Sequence, residues 1–329
     1  FPATTYQYLT SNAVDYVTNV QNPVRISMRE ASLDVIDAAM ESSDERRIKY
    51  AAKQSRISNG YKKWIGQNMG LERFRALDKK KEQEAEFLKR LADSDEAQYL
   101  GLLDGVTALY EEYEKYQLSR DYLIEFFYYG PELTRFSTNF KNIVENYDSL
   151  ETAGLMEEEL NNLAKAMKNF YKNYDRMVDQ GIFKAQSSIF IAGCPEELMS
   201  STLAELADKS GNDWMELTDE IYESSILDNR EELAELLEKS GKKISKAIAP
   251  DPFYLMAQEL LENYNDKIRG SYNNFRFLEG EYMRDYVRLT MELFPEEDYW
   301  PDANSTLRLT YGKMEGSEPV DGMAYKPYT

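Results

Sequence analysis

Between residues 11 and 293 the apolar positions recur at helical spacing. Ser11 or Asn12 predicts the cap of a short helix running through Val20. Asn22-Pro23 predicts the start of the next, with Pro at its first helical position. There Leu33, Ile36 and Met40 fall at i, i+3 and i+7, so one face is apolar. Ser42 or Ser43 opens a third helix, with Asp44 and Glu45 in the first turn, where the positive end of the helix dipole favours them. Its apolar stripe is Tyr50, Ile57, Tyr61, Trp64 and Ile65. Gly66 and Gly70 predict an end or a kink before DKKKEQEAEFLKRLADSDEAQ, whose mixed charges read as a long solvated helix. One or two helices fill 95–129, Gly130-Pro131 breaks the pattern, and helices resume over 133–147 and 156–178. The short apolar stretch SSIFIAG, 187–193, fits a strand, a buried turn or a helix segment. Pro195 predicts a helix to about Lys209. Further helices follow over 213–224 and 229–240, from Asp251-Pro252 to about Arg269, and over 273–291.

The rhythm changes in PDANSTLRLTYGKMEG, 301–316. Thr306, Arg308 and Thr310 alternate with Leu307, Leu309 and Tyr311, the period of a half-buried strand. The opening FPATTYQYLT, 1–10, reads as an extended lead-in. The expected fold is therefore mainly α: a multi-helix domain over 11–293, flanked by an extended stub over 1–10 and a return segment over 294–329. Two extended ends around a helical body are what a domain inserted into a β-sheet host leaves, and they predict that Phe1 and Thr329 lie close together. The chain opens on Phe1 with no charged-then-apolar leader before it, so it is expected to be either processed or a piece of something longer. The strand-like tail favours a piece. No fixed-period repeat suggests a solenoid.

Composition narrows the chemistry. Of 329 residues, 42% are hydrophobic and 30% charged, enough for a sizeable core, while Gly (16) and Pro (10) are scarce, as in helical proteins. The net charge of −20 would repel a phosphate backbone, which argues against nucleic acid as a partner. No stretch approaches 18 apolar residues, so no membrane span is expected. The chain has 25 tyrosines and no histidine. It therefore holds no His base for a serine or cysteine triad and no His metal ligand. The single cysteine, Cys194, has no internal disulfide partner. Gly-rich phosphate loops, G-x-S-x-G, C-x-x-C and H-E-x-x-H are absent. Acidic pairs such as those in EEEL, 157–160, and EEDY, 296–299, read as solvated helix faces.

One segment stands apart, KYAAKQSRISNGYKKWIG, 49–66. At 100° per residue, Ile57, Tyr61, Trp64 and Ile65 share one side. Asn59 stands opposite, among Ala52, Ser55, Lys62, Lys63 and Gly66, directly before Gly60. Gly inside a helix costs about 1 kcal/mol against Ala. Two readings stand: Asn59-Gly60 ends the helix, or Asn59 offers an acceptor and donors to a ligand, its oxygen suited to a free amino group.

Three blocks resemble the dipeptidyl-peptidase 7 and 11 family of bacterial serine peptidases. They are FPATTYQYLTS; RISMREASLDVIDAAMESSDERRIKYAAKQSRISNGYKKWIG; and PDANSTLRLTYGKMEGSEPVDGMAYKPYT. The resemblance implies a chymotrypsin-like double β-barrel carrying a Ser-His-Asp triad, with a large helical domain inserted between the barrels and capping the cleft. It implies release of dipeptides from peptide N-termini, in the periplasm or at the cell surface of Gram-negative bacteria. It implies a homodimer and no metal or cofactor. This chain resembles the helical insert with barrel stubs, and the triad is expected outside it. The family block S-N-x-x-K-N appears here as SNGYKK and places on Asn59 the contact with the substrate's N-terminus. Gly60 departs from the aromatic common there, and Lys63 from the Asn. The alternative is a non-enzymatic helical scaffold whose tyrosines line a protein- or glycan-binding groove, with its two ends far apart.

Overall fold

The computed structural model describes residues 8–209, 211, 214–301, 305, 312–320 and 322–326. It is mainly α, as expected. The helices run α1 (Ser11–Tyr16), α2 (Asn22–Ser42), α3 (Asp44–Arg73), α4 (Ala76–Ala92), α5 (Leu102–Leu123), α6 (Glu132–Ser137), α7 (Lys141–Thr152) and α8 (Met156–Tyr171). They continue as α9 (Arg176–Gly193), α10 (Ser201–Lys209), α11 (Trp214–Ser224), α12 (Arg230–Leu237), α13 (Gly241–Ile248), α14 (Pro252–Asn263) and α15 (Arg269–Leu293). One hairpin follows, β1 (Ser317–Val320) antiparallel to β2 (Met323–Tyr325), turning at Gly322 with φ +78°. The alternating segment 306–311 lies outside the described residues, as do Phe1 and Thr329.

Several boundaries differ from expectation, each for a local reason. Thr10, rather than Ser11 or Asn12, caps α1 by accepting from Ala13 N. Helix α2 begins at Asn22 with Pro23 in its first turn, as expected, but without a side-chain cap, because the chain runs into it directly from the preceding turn. Pro23 has no N–H to give, and the chain absorbs it by widening the preceding turn, Val17–Gln21, to π form. Helix α3 passes straight through Gly66 and Gly70 and breaks only at Arg75, which adopts φ 50°. The expected helix over 156–178 is split where Asp175 caps α9 with bonds from Met177 N and Val178 N. The stretch 187–193 is the end of α9. Pro195 opens a turn, and the next helix waits until Ser200 caps it through Leu203 N. No break separates 269 from 273, because the π turn Tyr264–Ile268 joins α14 to α15. The caps at Ser43, Asn229 and Asp251, with Pro252 at its N-terminus, stand as expected.

Three apolar clusters hold the helices. The largest joins α5 to the helices α6–α14 around Phe126, Phe183, Phe190, Tyr222 and Phe253. Phe183 is fully buried, with ring centroids of Phe253 at 5.7 Å, Tyr222 at 5.9 Å and Phe126 at 6.3 Å. A second cluster packs α2 on α3 and α9 through Leu33, Ile36, Tyr50, Ile57, Val178 and Ile182. The third joins α4, the start of α5 and α15 through Phe87, Leu91 and Leu289. Among the described residues no helix is long and apolar enough to cross a membrane.

The segments just before and just after the helical body meet. Tyr8 Oη donates to Trp300 O at 3.1 Å and accepts from Trp300 N at 2.9 Å, and its ring lies 6.3 Å from that of Tyr299.

Truncating Phe183 to Ala should cost about 3–5 kcal/mol, since it removes a fully buried ring from the middle of the largest cluster. Urea denaturation followed by circular dichroism would measure the loss. A change below about 1 kcal/mol would mean that the cluster collapses around the gap.

Candidate functional site

Helix α3 is thirty residues long and is fastened along its buried side. At its start, Arg46 Nε bonds Asp175 Oδ2 at 2.8 Å, and Tyr50 Oη accepts from Asp175 N at 3.1 Å, which ties it to the cap of α9. Towards its far end, Asn68 Oδ1 accepts from the buried Asn22 Nδ2 at 2.7 Å, and Asn68 Nδ2 donates to Thr18 O at 3.1 Å. In the middle, Tyr61 Oη donates to Glu30 Oε1 at 2.7 Å; that bond holds the phenol above its ordinary pKa.

Asn59 lies in this middle stretch, on the exposed side. Ile57 and Tyr50 are buried on the opposite side, as the stripe predicts. Asn59-Gly60 is not a helix exit, because α3 continues for thirteen residues beyond Gly60, to Arg73. The Asn59 side chain makes no hydrogen bond within the described residues, so both its acceptor and its donors face outward. Arg56, Lys62 and Lys63 flank it, all exposed and without ion pairs among the described residues.

Gly60 is explained from beneath. Arg29 of α2 is only 5% exposed and lies against this turn. Its Nε and Nη2 reach Glu125 at 2.7 and 3.1 Å, and its Nη1 donates to Ile57 O at 3.3 Å. The guanidinium is sandwiched between rings, 4.4 Å from the centroid of Trp64 and 3.9 Å from that of Tyr129. A Cβ on residue 60 would overlap Arg29 Nη1 and stand 3.0 Å from its Cζ. Glycine is thus favoured here by a close approach, not by a turn: a side chain at 60 would have to displace the Arg29 guanidinium. Glu125 is 1% exposed and sits on the π turn Ile124–Tyr128 that ends α5. Burial pushes its carboxyl up, and the hydrogen bonds and charge of Arg29 pull it back. One turn earlier the arrangement repeats, with Arg25 paired to the buried Asp121 at 2.5 Å.

A cavity of about 270 Å³ opens beside α3, between it and the segment 127–135. From α3 it is lined by Lys49, Tyr50, Lys53 and Ile57, and by Ala52 and Arg56, which lie seven and three positions before Asn59. Lys53 crosses it to Glu132 at 3.0 Å and to Gly130 O at 3.4 Å. Below, the fully buried Asp179 accepts from Glu132 N, from Leu133 N at 3.3 Å and from Tyr222 Oη at 2.8 Å. Burial, then the nearby Glu132 charge, raise its pKa from 3.8 to about 6, against the pull of Lys53. Cys194 is half-buried at the end of α9, and burial pushes its thiol up, so it is held as a thiol rather than a thiolate nucleophile.

The sequence singled out Asn59 but not Arg29, Glu125 or the reason for Gly60. Two signals were present. Arg29 lies in line with Leu33, Ile36 and Met40, a charge on an apolar face. Glu125 interrupts the apolar run YLIEFFYY, 122–129. A charge in either place must find a partner.

Because the folded pKa of Asp179 lies above its unfolded value, its stabilising contribution is fully present below about pH 4 and is lost as pH rises through about 6. Asp179→Asn should abolish that increment. Relative to the variant, the wild type should gain about 2–3 kcal/mol between pH 7 and pH 4 in denaturation experiments. A constant difference across that range would mean that Asp179 titrates normally.

The whole chain, residues 1–329, matches the peptidase S46 family. It is 30% identical to the Asp/Glu-specific dipeptidyl-peptidase of Flavobacterium psychrophilum and 31% identical to that of Capnocytophaga gingivalis. Each alignment covers all of this chain and 45% and 46% of the relative. Dipeptidyl-peptidase 7 of Phocaeicola vulgatus is 28% identical, again over all of this chain and 45% of its own length. The chain thus spans about half the length of the curated relatives it matches. The fold is that of Porphyromonas endodontalis DPP11 in its crystal structure with the dipeptide Arg-Glu: TM-score 0.84 at 24% identity, covering 99% of this chain and 46% of that one. With the match running from its first residue to its last, the chain belongs to the peptidase S46 family.

Proposed function

We propose that this chain is the helical cap of a serine-type dipeptidyl-peptidase, and that Asn59 anchors the free amino terminus of the peptide substrate. The observation that carries the reading is the full-length likeness to dipeptidyl-peptidases of which this chain makes up less than half. On this reading the triad-bearing β-barrels are the remainder, the parent enzyme is a cofactor-free periplasmic or cell-surface homodimer, and this chain performs no bond cleavage. The pairing of Tyr8 with Trp300 supports an insertion, because the two ends of the helical body must return to one host. A free-standing binding scaffold, the other reading of the sequence, expects Phe1 and Thr329 to lie apart, and both are outside the described residues.

The mechanism follows from what a dipeptidyl aminopeptidase must measure. It cuts two residues from a free amine, so it needs an acceptor for that amine at a fixed distance from the nucleophile. Asn59 offers an amide oxygen that is unpaired among the described residues, from a helix fastened to its neighbours at Arg46, Tyr50, Tyr61 and Asn68. The rest of the cap closes the cleft and keeps water from the reacting bond. The negative countercharge for the ammonium comes from the barrels.

In the full-length enzyme, Asn59→Ala should lower kcat/KM for dipeptidyl substrates by about 10- to 100-fold, the value of a hydrogen bond to a charged group. The purified helical chain should release no dipeptide. Unchanged kinetics in the variant would remove Asn59 from the site, and cleavage by the isolated chain would place the chemistry within it.

A further inference from the structure

Among the described residues the Asn59 side chain has no partner of its own, so the direction of its amide is set by the backbone that carries it. That backbone is braced at one point close by. Arg29 Nη1 donates to Ile57 O, and the guanidinium fills the space that a side chain at residue 60 would take. Four contacts fix the guanidinium itself: two bonds to Glu125 and two ring faces, Trp64 from α3 and Tyr129 from beyond the π turn. We propose that Arg29, held by Glu125 and admitted by Gly60, is a positioning residue for the amine-binding site, setting the height of the Asn59 turn above α2. The inference rests on the reading of Asn59 as the substrate anchor.

Three features point to positioning rather than to stability alone. A glycine in mid-helix is costly, and alanine is the best helix former, so propensity alone argues for Ala at this place. The chain keeps Gly where it lets a guanidinium reach the carbonyl two residues before Asn59. The brace is also rigid: a bidentate fork between two ring faces has one geometry, which a lysine cannot reproduce. Finally, it is electrically quiet. Glu125 neutralises Arg29, so the brace lies under an ammonium site without adding a net positive charge to it.

The test is a double-mutant cycle in the full-length enzyme. Gly60→Ala should displace Arg29 and raise KM for dipeptidyl substrates about tenfold, with a smaller change in kcat, since it moves the amine acceptor and leaves the nucleophile alone. In an Asn59→Ala background the same substitution should change kcat/KM by less than about twofold, because nothing remains to be positioned. Arg29→Lys should reproduce the KM effect, and it serves as the second route if Gly60→Ala does not fold. Thermal unfolding identifies folded variants. A silent Gly60→Ala beside an impaired Asn59→Ala would overturn the positioning role and leave the anchor standing. Losses that multiply in the double variant would assign Arg29 to general stability and overturn it equally. A silent Asn59→Ala would instead bring down the anchor reading, and this inference with it.

Discussion

Two guanidinium groups on one helix reach two carboxylates on another, and the helical body is organised around that ladder. Arg25 meets Asp121, and Arg29 meets Glu125, with both carboxylates at most 2% exposed. The ladder runs where α2 crosses the end of α5. There the apolar packing of α2 on α3 and α9 adjoins the large core that contains Phe126 and Phe127. Replacing such pairs by well-packed apolar residues is often neutral for stability, but breaking one costs about 3–5 kcal/mol because a charge is stranded. Greasy helices can slide by a turn at small cost. The bidentate fork of Arg29 on Glu125 cannot, and Arg25, whose Nε and Nη2 both reach Asp121 Oδ1, adds a second fixed point one turn earlier, so the two together fix the register of α2 on α5.

The apolar faces of the fold were legible because they are local. Leu33, Ile36, Tyr50 and Ile57 could be placed by period alone, and all are buried. The caps at Ser43, Asn229 and Asp251 were legible for the same reason, since each bonds within three residues of itself. Helix ends marked only by glycine were not. Gly66 and Gly70 weaken a helix without ending one, and both lie on open surface where nothing forces a break. The turns at Val17–Gln21 and Tyr264–Ile268 were hidden because a π turn inserts one residue and then restores the helix, leaving no polar gap.

The candidate site divides in the same way. Asn59 was legible as a polar residue opposite an apolar stripe, and its exposed place in mid-helix agrees with that pattern. What surrounds it depends on a partner 96 positions away from Arg29, and no local period carries that information. The departure at Gly60 looked like a weakness in the helix. It is the mark that the Arg29 contact leaves on the local sequence, because the guanidinium needs the space.

The charges around Asn59 limit what the helical body can do by itself. Arg56, Lys62 and Lys63 are exposed on its side of α3 and unpaired among the described residues. Each would oppose a substrate ammonium. At a separation of about 8 Å in water the repulsion is only about 0.5 kcal/mol per charge, and salt screens it further. That is smaller than the gain from one hydrogen bond to a charged amine, about 1.5–3 kcal/mol. An ammonium placed at Asn59 would therefore be tolerated, but it would not be drawn in. On the proposed reading this makes the cap a ruler rather than a trap: it supplies an acceptor at a fixed height, while attraction and bond cleavage come from the barrels it closes over. A ruler is only as good as its stiffness, which is why a neutralised, ring-clamped arginine under the measuring residue matters more here than any added charge beside it.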